Sequence, residues 1–332
     1  MDLAVLADIH SNYIALERCM EYALARGIED FLFLGDYIGE MAYPERTMAL
    51  IYDYREHYGC TFIRGNKENY WMNYRAGGER GWQEFDSTTG ALWYAYHHLT
   101  DRDLDFFGGL PIARRLEYGF LPPLMACHGS PYSEREDMRA GTERVREILA
   151  QADTELVLCA HTHKQEKEVW QGRTMLNPGS VGHSLGAGGK SQFMILHGET
   201  EAGQRDGICK TGNWDEAARL PGAGHGDGIE APRERREACG GQICAGTWRE
   251  EFVTLDYDRE EAVRQLTESG LRARTPNWCR ITEHSLRGGS EEIHHAKVLG
   301  RVMALCEKGE GQCDWPHIPE KYWEMAIKEF FP

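Results

Sequence analysis

The sequence lacks any run of 18 or more consecutive apolar residues, so it predicts no membrane-spanning helix. It also lacks a basic segment followed by a short apolar stretch at its start, and we therefore expect no secretory signal. Positive charge is scarce, with 37 lysines and arginines against 53 aspartates and glutamates, for a formal net charge of -16. Because this charge repels nucleic-acid backbones, we expect no non-specific binding to DNA or RNA.

Cysteine occurs ten times, but not in an arrangement that indicates disulfides. Cys60, Cys127 and Cys159 lie within or beside apolar runs, where a free thiol behaves as a small buried hydrophobe. Since no export signal is found, we expect reduced thiols and a cytoplasmic location.

Short apolar runs alternate with helical patterns over residues 1–198. With 332 residues and a hydrophobic fraction of 41%, the chain can bury a large core. The alternation predicts consecutive βαβ units and a mainly parallel sheet. The predicted strands lie at 3–7, 31–34, 61–63, 112–116, 124–127, 156–159, 167–170 and 193–196.

Three segments depart from this alternation. Residues 67–110 are rich in Trp, Tyr and Gly, and we interpret them as a helical cap inserted near the strand ends. Residues 199–248 have no periodicity and predict a long loop that joins two neighbouring strands of a hairpin. Apolar stripes in 261–332 predict a C-terminal helical extension that packs on a main domain formed by 1–260.

Side chains that can bind a metal ion follow five of the predicted strands. Because the carboxyl ends of parallel strands form the ligand crevice of an open sheet, we expect these side chains to converge. The candidates are Asp8, His10, Asp36, Asn66, His128, His161 and His163.

The ligand types suit divalent manganese, iron, zinc, cobalt or nickel. They comprise two carboxylates, one amide and four imidazoles, without a thiolate. Seven ligands are too many for one tetrahedral ion, whereas two ions that share a bridging carboxylate account for them. Glycines at 35, 65 and 129 allow the backbone to turn sharply beside them.

Each of these short motifs has an ordinary explanation as a turn when it is taken alone. Their order is more specific: Asp-Ile-His, Gly-Asp, Gly-Asn, His-Gly, His-Thr-His, and then Asn-Pro-Gly-Ser-Val-Gly at 177–182. Over about residues 1–260 this order resembles the calcineurin-like metallophosphoesterases, in particular their small bacterial and archaeal phosphodiesterase-like branch. The resemblance implies a four-layer α/β/β/α sandwich of two facing mixed sheets.

The resemblance also implies how the ligands are shared and what they do. The implied sets are Asp8, His10, Asp36 and His163 for one ion and Asp36, Asn66, His128 and His161 for the other, with Asp36 bridging. The implied reaction is hydrolysis of a phosphodiester or a phosphomonoester, in which a hydroxide that bridges two divalent ions attacks phosphorus. Manganese is the favoured ion, and Asp36, Asn66, His128 and Lys67 are the predicted catalytic group.

One position departs from the family pattern. The sequence at 65–68 is Gly-Asn-Lys-Glu, whereas the family often has a His in third place that protonates the leaving group. Lys67, Tyr70, His97 and His98 are the alternative proton donors, although His97 and His98 fit better as a pair on a helix surface. Lys67 also suits a point charge on a phosphate oxygen. The missing His favours diesters and other substrates with good leaving groups.

We predict substrate contacts for Asn12, Lys67 and Tyr70, with helix capping as the favoured alternative for Asn12. The expected substrate is a small phosphoester, for which a nucleotide is one option. Aromatic residues of the insert either stack on a nucleobase or form the core of the cap. These are Tyr70, Trp71, Trp82, Trp93 and Tyr94.

Two other functions remain open at this point. Some members of the superfamily serve as scaffolds in larger assemblies, but they tend to have eroded metal sites, whereas all seven ligands are present here. A protein Ser/Thr phosphatase ranks low, because Gly-Asn-His-Glu and the further arginines of that family are missing. No pattern indicates an oligomeric state.

Overall fold

The structure is a computed structural model that describes residues 1–39, 41–200 and 246–332. Within these residues it contains ten strands and eleven helices. The strands are β1 (Asp2–Leu6), β2 (Asp30–Phe33), β3 (Gly59–Phe62), β4 (Ala113–Leu116), β5 (Leu124–Cys127), β6 (Leu156–Leu158), β7 (Gln165–Trp170), β8 (Arg173–Pro178), β9 (Ser191–Thr200) and β10 (Gly246–Leu255). The helices are α1 (Tyr13–Leu24), α2 (Pro44–His57), α3 (Asn66–Arg75), α4 (Gly90–His98), α5 (Asp101–Gly108), α6 (Glu143–Gln151), α7 (Arg259–Glu268), α8 (Leu271–Arg274), α9 (Pro276–Leu286), α10 (His295–Glu310) and α11 (Glu320–Phe330). None of the described helices is long and apolar enough to cross a membrane.

The strands form two five-stranded sheets. The first sheet has the order β10-β9-β1-β2-β3 and the second has the order β4-β5-β6-β8-β7. In the first sheet β1, β2 and β3 pair in parallel, while β9 is antiparallel to β1 and β10 is antiparallel to β9. In the second sheet β5, β6 and β8 pair in parallel, and the edge strands β4 and β7 are antiparallel to their neighbours. The alternation of strands and helices predicts the parallel pairs, while the antiparallel strands make both sheets mixed, as the resemblance implied.

Both faces of β1 are buried, which explains its continuous apolar sequence. Leu3 and Val5 belong to the apolar cluster shared by the two sheets, where they meet residues such as Leu158. Ala4 and Leu6 face the opposite way and join the cluster that α1 and α2 contribute to. Side chains of a strand alternate between its two faces, so β1 lies between a helical layer and the second sheet.

The fourth layer is α6, which covers the outer face of the second sheet. Val145, Ile148 and Leu149 of this helix share a buried cluster with Val157 of β6 and Met175 of β8. The chain is therefore an α/β/β/α sandwich, in agreement with the predicted fold class.

Two predictions about the second half of the main domain need correction. The pattern did not predict β8, because its polar ends leave only Met175 and Leu176 as an apolar run. The predicted loop 199–248 is wrong at both ends, since β9 and β10 pair from Ser191 with Leu255 to Thr200 with Gly246. The outer ends of the two strands contain no apolar run, since residues 198–200 are Gly-Glu-Thr and residues 246–247 are Gly-Thr, and they therefore resemble a loop. Its pairing confirms the predicted hairpin, and residues 201–245 lie outside the described residues.

The insert and the C-terminal tail are both helical. In the insert Trp71 is fully buried, and Trp82 is buried with its ring stacked 4.1 Å from that of Tyr74, which favours a core role over nucleobase stacking. In the tail, α7 and α9–α11 form a separate apolar cluster. Met41 and Tyr94 of the main domain belong to the same cluster. A domain boundary at 260 stays a prediction.

The cysteines that the structure describes are all free, as predicted. Cys19, Cys127 and Cys159 are fully buried, and burial raises the pKa of each thiol.

Candidate metal centre

The seven predicted ligands all follow strands, six of them in loops and Asn66 as the first residue of α3. Asp8 and His10 come after β1, and Asp36 and Asn66 come after β2 and β3 of the first sheet. The other three follow β5 and β6 of the second sheet. The crevice is thus formed where the carboxyl ends of the two sheets meet, as the order of motifs predicted.

Five of these ligands have a left-handed backbone conformation, which only glycine adopts without strain. A non-glycine residue in this region costs on the order of 1–2 kcal/mol and persists only where its surroundings hold it. Such strain clusters at functional sites, because it aims side chains in directions that regular loops do not reach. The φ angles are 53° for Asp8, 51° for His10, 53° for Asp36, 69° for His161 and 59° for His163.

Glu68 fastens the loop of Asp36 to the loop of Asn66. Its Oε2 accepts hydrogen bonds from the backbone N–H of Asp36 at 3.0 Å and of Gly65 at 2.8 Å. Its Oε1 accepts a third from Tyr37 at 2.9 Å. The loops approach so closely that a Cβ on Gly35 would lie 2.4 Å from the Gly65 nitrogen, which explains why both positions are glycine.

The segment 177–182 braces ligand loops from both sheets. The Asn177 side chain donates to the carbonyl of Ala160 at 2.8 Å, just before His161. The Ser180 hydroxyl and the Gly182 N–H both donate to the carbonyl of Asp8, at 2.8 Å and 3.0 Å. The motif therefore holds the ligand loops and places no ligand of its own.

Asp36 presents one carboxylate oxygen to each half of the site. Its Oδ2 lies 3.6 Å from His10 Nε2, and its Oδ1 lies 3.5 Å from His128 Nε2. Asp8 Oδ1 lies 3.5 Å from His163 Nε2 and 3.9 Å from both His10 Nε2 and His128 Nε2. Asp8, His10 and His163 form one compact group of candidate ligands, and Asp8, Asp36 and His128 form another.

The remaining two ligands border the His128 side of the crevice. Asn66 Oδ1 lies 3.0 Å from His128 Nε2. The His161 ring centroid is 5.2 Å from that of His128, and its Nε2 is 3.4 Å from Asp137 Oδ1. The His161 backbone N–H also donates to Asp8 Oδ2 at 3.2 Å, so this residue joins the two groups.

Backbone carbonyls orient two of the imidazoles. His128 Nδ1 lies 2.7 Å from the carbonyl of Leu34, and His163 Nδ1 lies 2.7 Å from the carbonyl of His183. A carbonyl only accepts, so in each ring Nδ1 carries the proton and Nε2 turns its lone pair into the crevice. This is the arrangement that outer partners impose on metal-binding histidines.

The electrostatics of the crevice favour neutral imidazoles and penalise its carboxylates. Burial lowers the pKa of His128 to about 4 and the pKa of His163 below its usual range. Burial, followed by the charge of Asp36, raises the pKa of Asp8 and that of Glu68, the latter to about 8. Neutral imidazoles and ionised carboxylates are the forms that bind a cation.

These observations fit two divalent cations. Asp8 Oδ1 is buried without a hydrogen-bond partner. His10 Nε2 and His163 Nε2 are only 3.1 Å apart, so the two ring nitrogens face the same small space beside Asp8. Cations there would compensate the orphaned Asp8 oxygen and accept the lone pairs of neutral imidazoles.

Comparison with known proteins agrees with this geometry. The family model of the calcineurin-like phosphoesterase superfamily domain matches residues 1–201, which is more than half of the chain. The chain belongs to the calcineurin-like phosphoesterase superfamily. Two solved structures resemble its fold: a hypothetical protein from Pyrococcus horikoshii and a metallophosphoesterase from Sphaerobacter thermophilus.

The two solved structures are similar along most of their length. The Pyrococcus protein is 17% identical, covers 87% of this chain and 99% of its own, and has a TM-score of 0.61. The Sphaerobacter protein is 18% identical, covers 83% of this chain and 98% of its own, and has a TM-score of 0.52. At such identities the likeness shows the fold and not the activity.

Lys67 and Tyr70 lie beside the crevice. The Lys67 backbone N–H donates to Asp36 Oδ1 at 2.8 Å, and its ammonium group is 5.9 Å from the centre of the Tyr70 ring. The Arg135 guanidinium is 5.3 Å from the centre of the same ring, and no pattern in the sequence indicates this residue. Like Asp137, it lies in the loop after His128, where no strand or motif marks a functional position.

Other sequence candidates have structural roles that account for them. The Asn12 side chain is 2% exposed, accepts from Ala15 N, and donates to the Gly182 carbonyl and the Tyr257 hydroxyl, which favours helix capping. His97 is stacked on Trp93 of the same helix with ring centroids 3.8 Å apart. These contacts favour the helix-surface interpretation of the His97 and His98 pair.

Glu68 is a functional residue that the metal-site reasoning missed. Its spacing of three residues after Gly65 is that of a capping box, and this is the one signal that pointed to it. His183 was missed as well, because it contributes a backbone carbonyl, which any residue type can supply.

Proposed function

We propose that this protein hydrolyses phosphoesters with two divalent cations held by the seven predicted ligands. The observation that carries the proposal is Asp36, whose two oxygens face His10 and His128 at 3.6 Å and 3.5 Å. Bound cations would supply a nucleophilic water at neutral pH and neutralise charge on the phosphate oxygens. The chain supplies the rest, by holding the ligands rigidly and by excluding water from buried Asp8 and His128.

The proposed division of ligands follows from the same contacts. Asp8, His10 and His163 would hold one cation, Asn66, His128 and His161 would hold the other, and Asp36 would bridge them. The Asp36 carboxylate suits this role because its oxygens face opposite halves, whereas Asp8 turns only Oδ1 into the crevice and binds the His161 N–H with Oδ2. Manganese is the proposed ion, although imidazole and carboxylate ligands accept several others.

Lys67, Tyr70 and Arg135 would contact the substrate. The positive groups of Lys67 and Arg135 both lie within 6 Å of the centre of the Tyr70 ring. In a chain with a net charge of -16, a local pair of cations is the feature that attracts a phosphate group. Because Lys67 replaces the usual proton donor, we propose diesters and esters with good leaving groups as substrates, and a nucleotide as one candidate.

Turnover of bis(4-nitrophenyl) phosphate with Mn²⁺ tests the proposal. Asp36→Asn keeps the shape of the side chain but removes its charge. We expect the rate to fall by more than about a hundredfold, because loss of a residue that only contacts a metal ligand already reduces activity by 10–100-fold. Asp53→Asn is the matched control, since Asp53 is an exposed carboxylate on α2 and its loss should leave the rate unchanged.

A non-catalytic role is the second candidate, and the lysine at position 67 is the observation that favours it. The outcome that supports it is specific: the chain binds two cations per molecule but hydrolyses neither diesters nor monoesters with manganese, iron, zinc, cobalt or nickel. Turnover that depends on metal and on Asp36 excludes it.

A further inference from the structure

We propose that the C-terminal helical tail positions the metal ligand His163, through a chain of contacts that runs from Trp278 and Thr282 to His295 and His183. The inference rests on the metal-binding part of the proposed function and extends it to a part of the chain that carries none of the seven ligands. His183 and His295 are positioning residues in this proposal.

The first link joins His163 to His183. The Nδ1–H of His163 donates to the His183 carbonyl at 2.7 Å, and the two rings meet edge to face with centroids 5.8 Å apart at 88°. The His183 ring is also 6.5 Å from that of His10. The position of the His183 backbone therefore sets the direction in which His163 Nε2 points.

The second link joins His183 to the tail. The ring centroids of His183 and His295 are 5.0 Å apart, and His295 is the first residue of α10. The His295 ring also stacks on Trp278 of α9, with centroids 4.3 Å apart and planes inclined by only 26°. His295 therefore contacts one aromatic ring from the crevice loop and one from the tail.

A hydrogen bond fixes the rotation of the His295 ring. Its Nε2 lies 3.0 Å from the Thr282 hydroxyl and 3.3 Å from the Trp278 carbonyl. The Thr282 hydroxyl donates its own hydrogen to the Trp278 carbonyl at 3.1 Å, so Nε2 is the donor in both contacts. Thr282 is 1% exposed, which makes this anchor part of the tail's core.

Further contacts hold the loops of His163 and His183 against the tail. Lys164, next to His163, forms an ion pair with Glu291 at 3.0 Å. In the loop that contains His183, the Gly188 carbonyl accepts from the Arg259 guanidinium at 2.9 Å. A Cβ on Gly189 would lie 2.1 Å from the Leu286 carbonyl, so backbone meets backbone there. These polar contacts lie where the tail meets the loops of His163 and His183. A tail that only covered apolar surface would not require them.

Stepwise Mn²⁺ binding to the full chain, measured by calorimetry and by electron paramagnetic resonance, tests the proposal without any turnover. Outer partners of metal ligands typically contribute 10–100-fold to metal affinity. We therefore expect His295→Ala to weaken one binding step by roughly tenfold or more, and to change the other by less than about threefold. The affected step should be the one that His163→Ala abolishes, while Asn66→Ala should affect the other.

Two further variants make the result decisive. Met303→Ala changes an exposed side chain of the same helix and should leave both steps unchanged. Glu291→Ala removes the ion pair with Lys164 without touching the core, since the Glu291 side chain is 46% exposed, and it should weaken the same step to a smaller extent.

The outcomes separate this inference from the proposed function. If His295→Ala fails to fold, Glu291→Ala decides. Equal weakening of both steps, or no change in either step in the folded variants, overturns the inference while the proposed function stands. A wild-type chain that binds no Mn²⁺ contradicts the proposed function itself.

Discussion

Asp36 is held from several directions, which leaves its carboxylate little freedom to rotate. Its backbone N–H donates to Glu68, and its Oδ1 accepts from the N–H of Lys67. The residue is 1% exposed and has a left-handed backbone. A side chain fixed in this way presents its oxygens at set distances before any ligand binds. Such preorganisation lets a site stabilise a charged group without rearranging its own side chains.

Lys67 occupies the position from which many family members protonate the leaving group, so replacing it with His should restore that function. General acids contribute typically 10²–10⁴-fold where the leaving group is poor. We expect Lys67→His to change kcat little for methyl 4-nitrophenyl phosphate, whose leaving group is good. For methyl phenyl phosphate, whose leaving group is poorer, we expect kcat to rise by about tenfold or more.

The comparison of the two esters is the measurement, because a change in folding or metal content alters both rates alike. Lys67→Met serves as the control that removes the charge without adding a donor. An equal effect of Lys67→His on the two esters would show that position 67 does not reach the leaving group.

At the scale of elements, the crevice depends on loops that touch through their backbones. The loop after β8 crosses the loop after β1, and the loops after β2 and β3 meet at Gly35 and Gly65. Because each contact leaves no room for a side chain, the ligand loops cannot relax independently. This is how left-handed residues such as Asp8 and His10 are maintained despite their conformational cost.

Gly182→Ala should disturb this packing. A Cβ at this position would lie 1.8 Å from the Ile9 carbonyl oxygen, between Asp8 and His10. The backbone has to move, and overpacking of this kind costs typically 1–3 kcal/mol. We expect a loss of that size in the free energy of unfolding, measured in urea with Mn²⁺ present, and weaker binding of the metal.

Gly300→Ala is the matched control for that substitution. Gly300 lies inside α10, and nothing lies within 4 Å of an added Cβ. Alanine should stabilise this helix by roughly 0.5–1 kcal/mol, because glycine loses more backbone entropy. If both variants change stability in the same direction, steric contact at Gly182 is not what holds the loop.

At the scale of the whole molecule, the sandwich buries carboxylates at the junction of its two sheets. Asp8, Asp36 and Glu68 are at most 1% exposed. Their burial is costly without a compensating cation, so metal binding and folding should be linked.

This linkage predicts a pH dependence of the metal-free protein. Glu68 has a pKa of about 8, raised by burial from an ordinary 4.5, and the pKa of Asp8 is also raised. Between pH 4.5 and about pH 8, the folded state binds more protons than the unfolded state. The free energy of unfolding therefore falls as the pH rises through this range. Buried His128 and His163 have lowered pKa values and act in the opposite direction, but only below about pH 6.5, where unfolded histidine is protonated.

Urea unfolding with a chelator at pH 6.5 and pH 8.5 isolates the carboxylates. We expect a loss on the order of 2 kcal/mol at the higher pH. Saturating Mn²⁺ should reduce this loss, since cations stabilise the ionised carboxylates, and Glu68→Gln should reduce it without metal. A metal-free protein that is equally stable at both values contradicts the linkage.

The seven candidate ligands could be found from the sequence because each follows an apolar run, and buried strands of an α/β fold end at one edge. Glu68 and His183 could not be identified as parts of the site. Glu68 accepts from the backbone N–H of Asp36 on another loop, and His183 contributes only its backbone carbonyl, to the side chain of His163. Backbone donors and acceptors leave no trace in residue type.

The sequence by itself determined the order of strands and helices in the main domain, β8 excepted, since this order depends on local patterns of polarity. The order of its short motifs determined the candidate ligand set and the superfamily resemblance. Only the tertiary structure decided the rest. It brought Arg135 beside Tyr70, left Asn12 as a helix cap, and set His295 of the tail against His183. These contacts join segments that are far apart along the chain. They form because the sheets and the tail are closely packed against one another, and a local sequence pattern does not encode that packing.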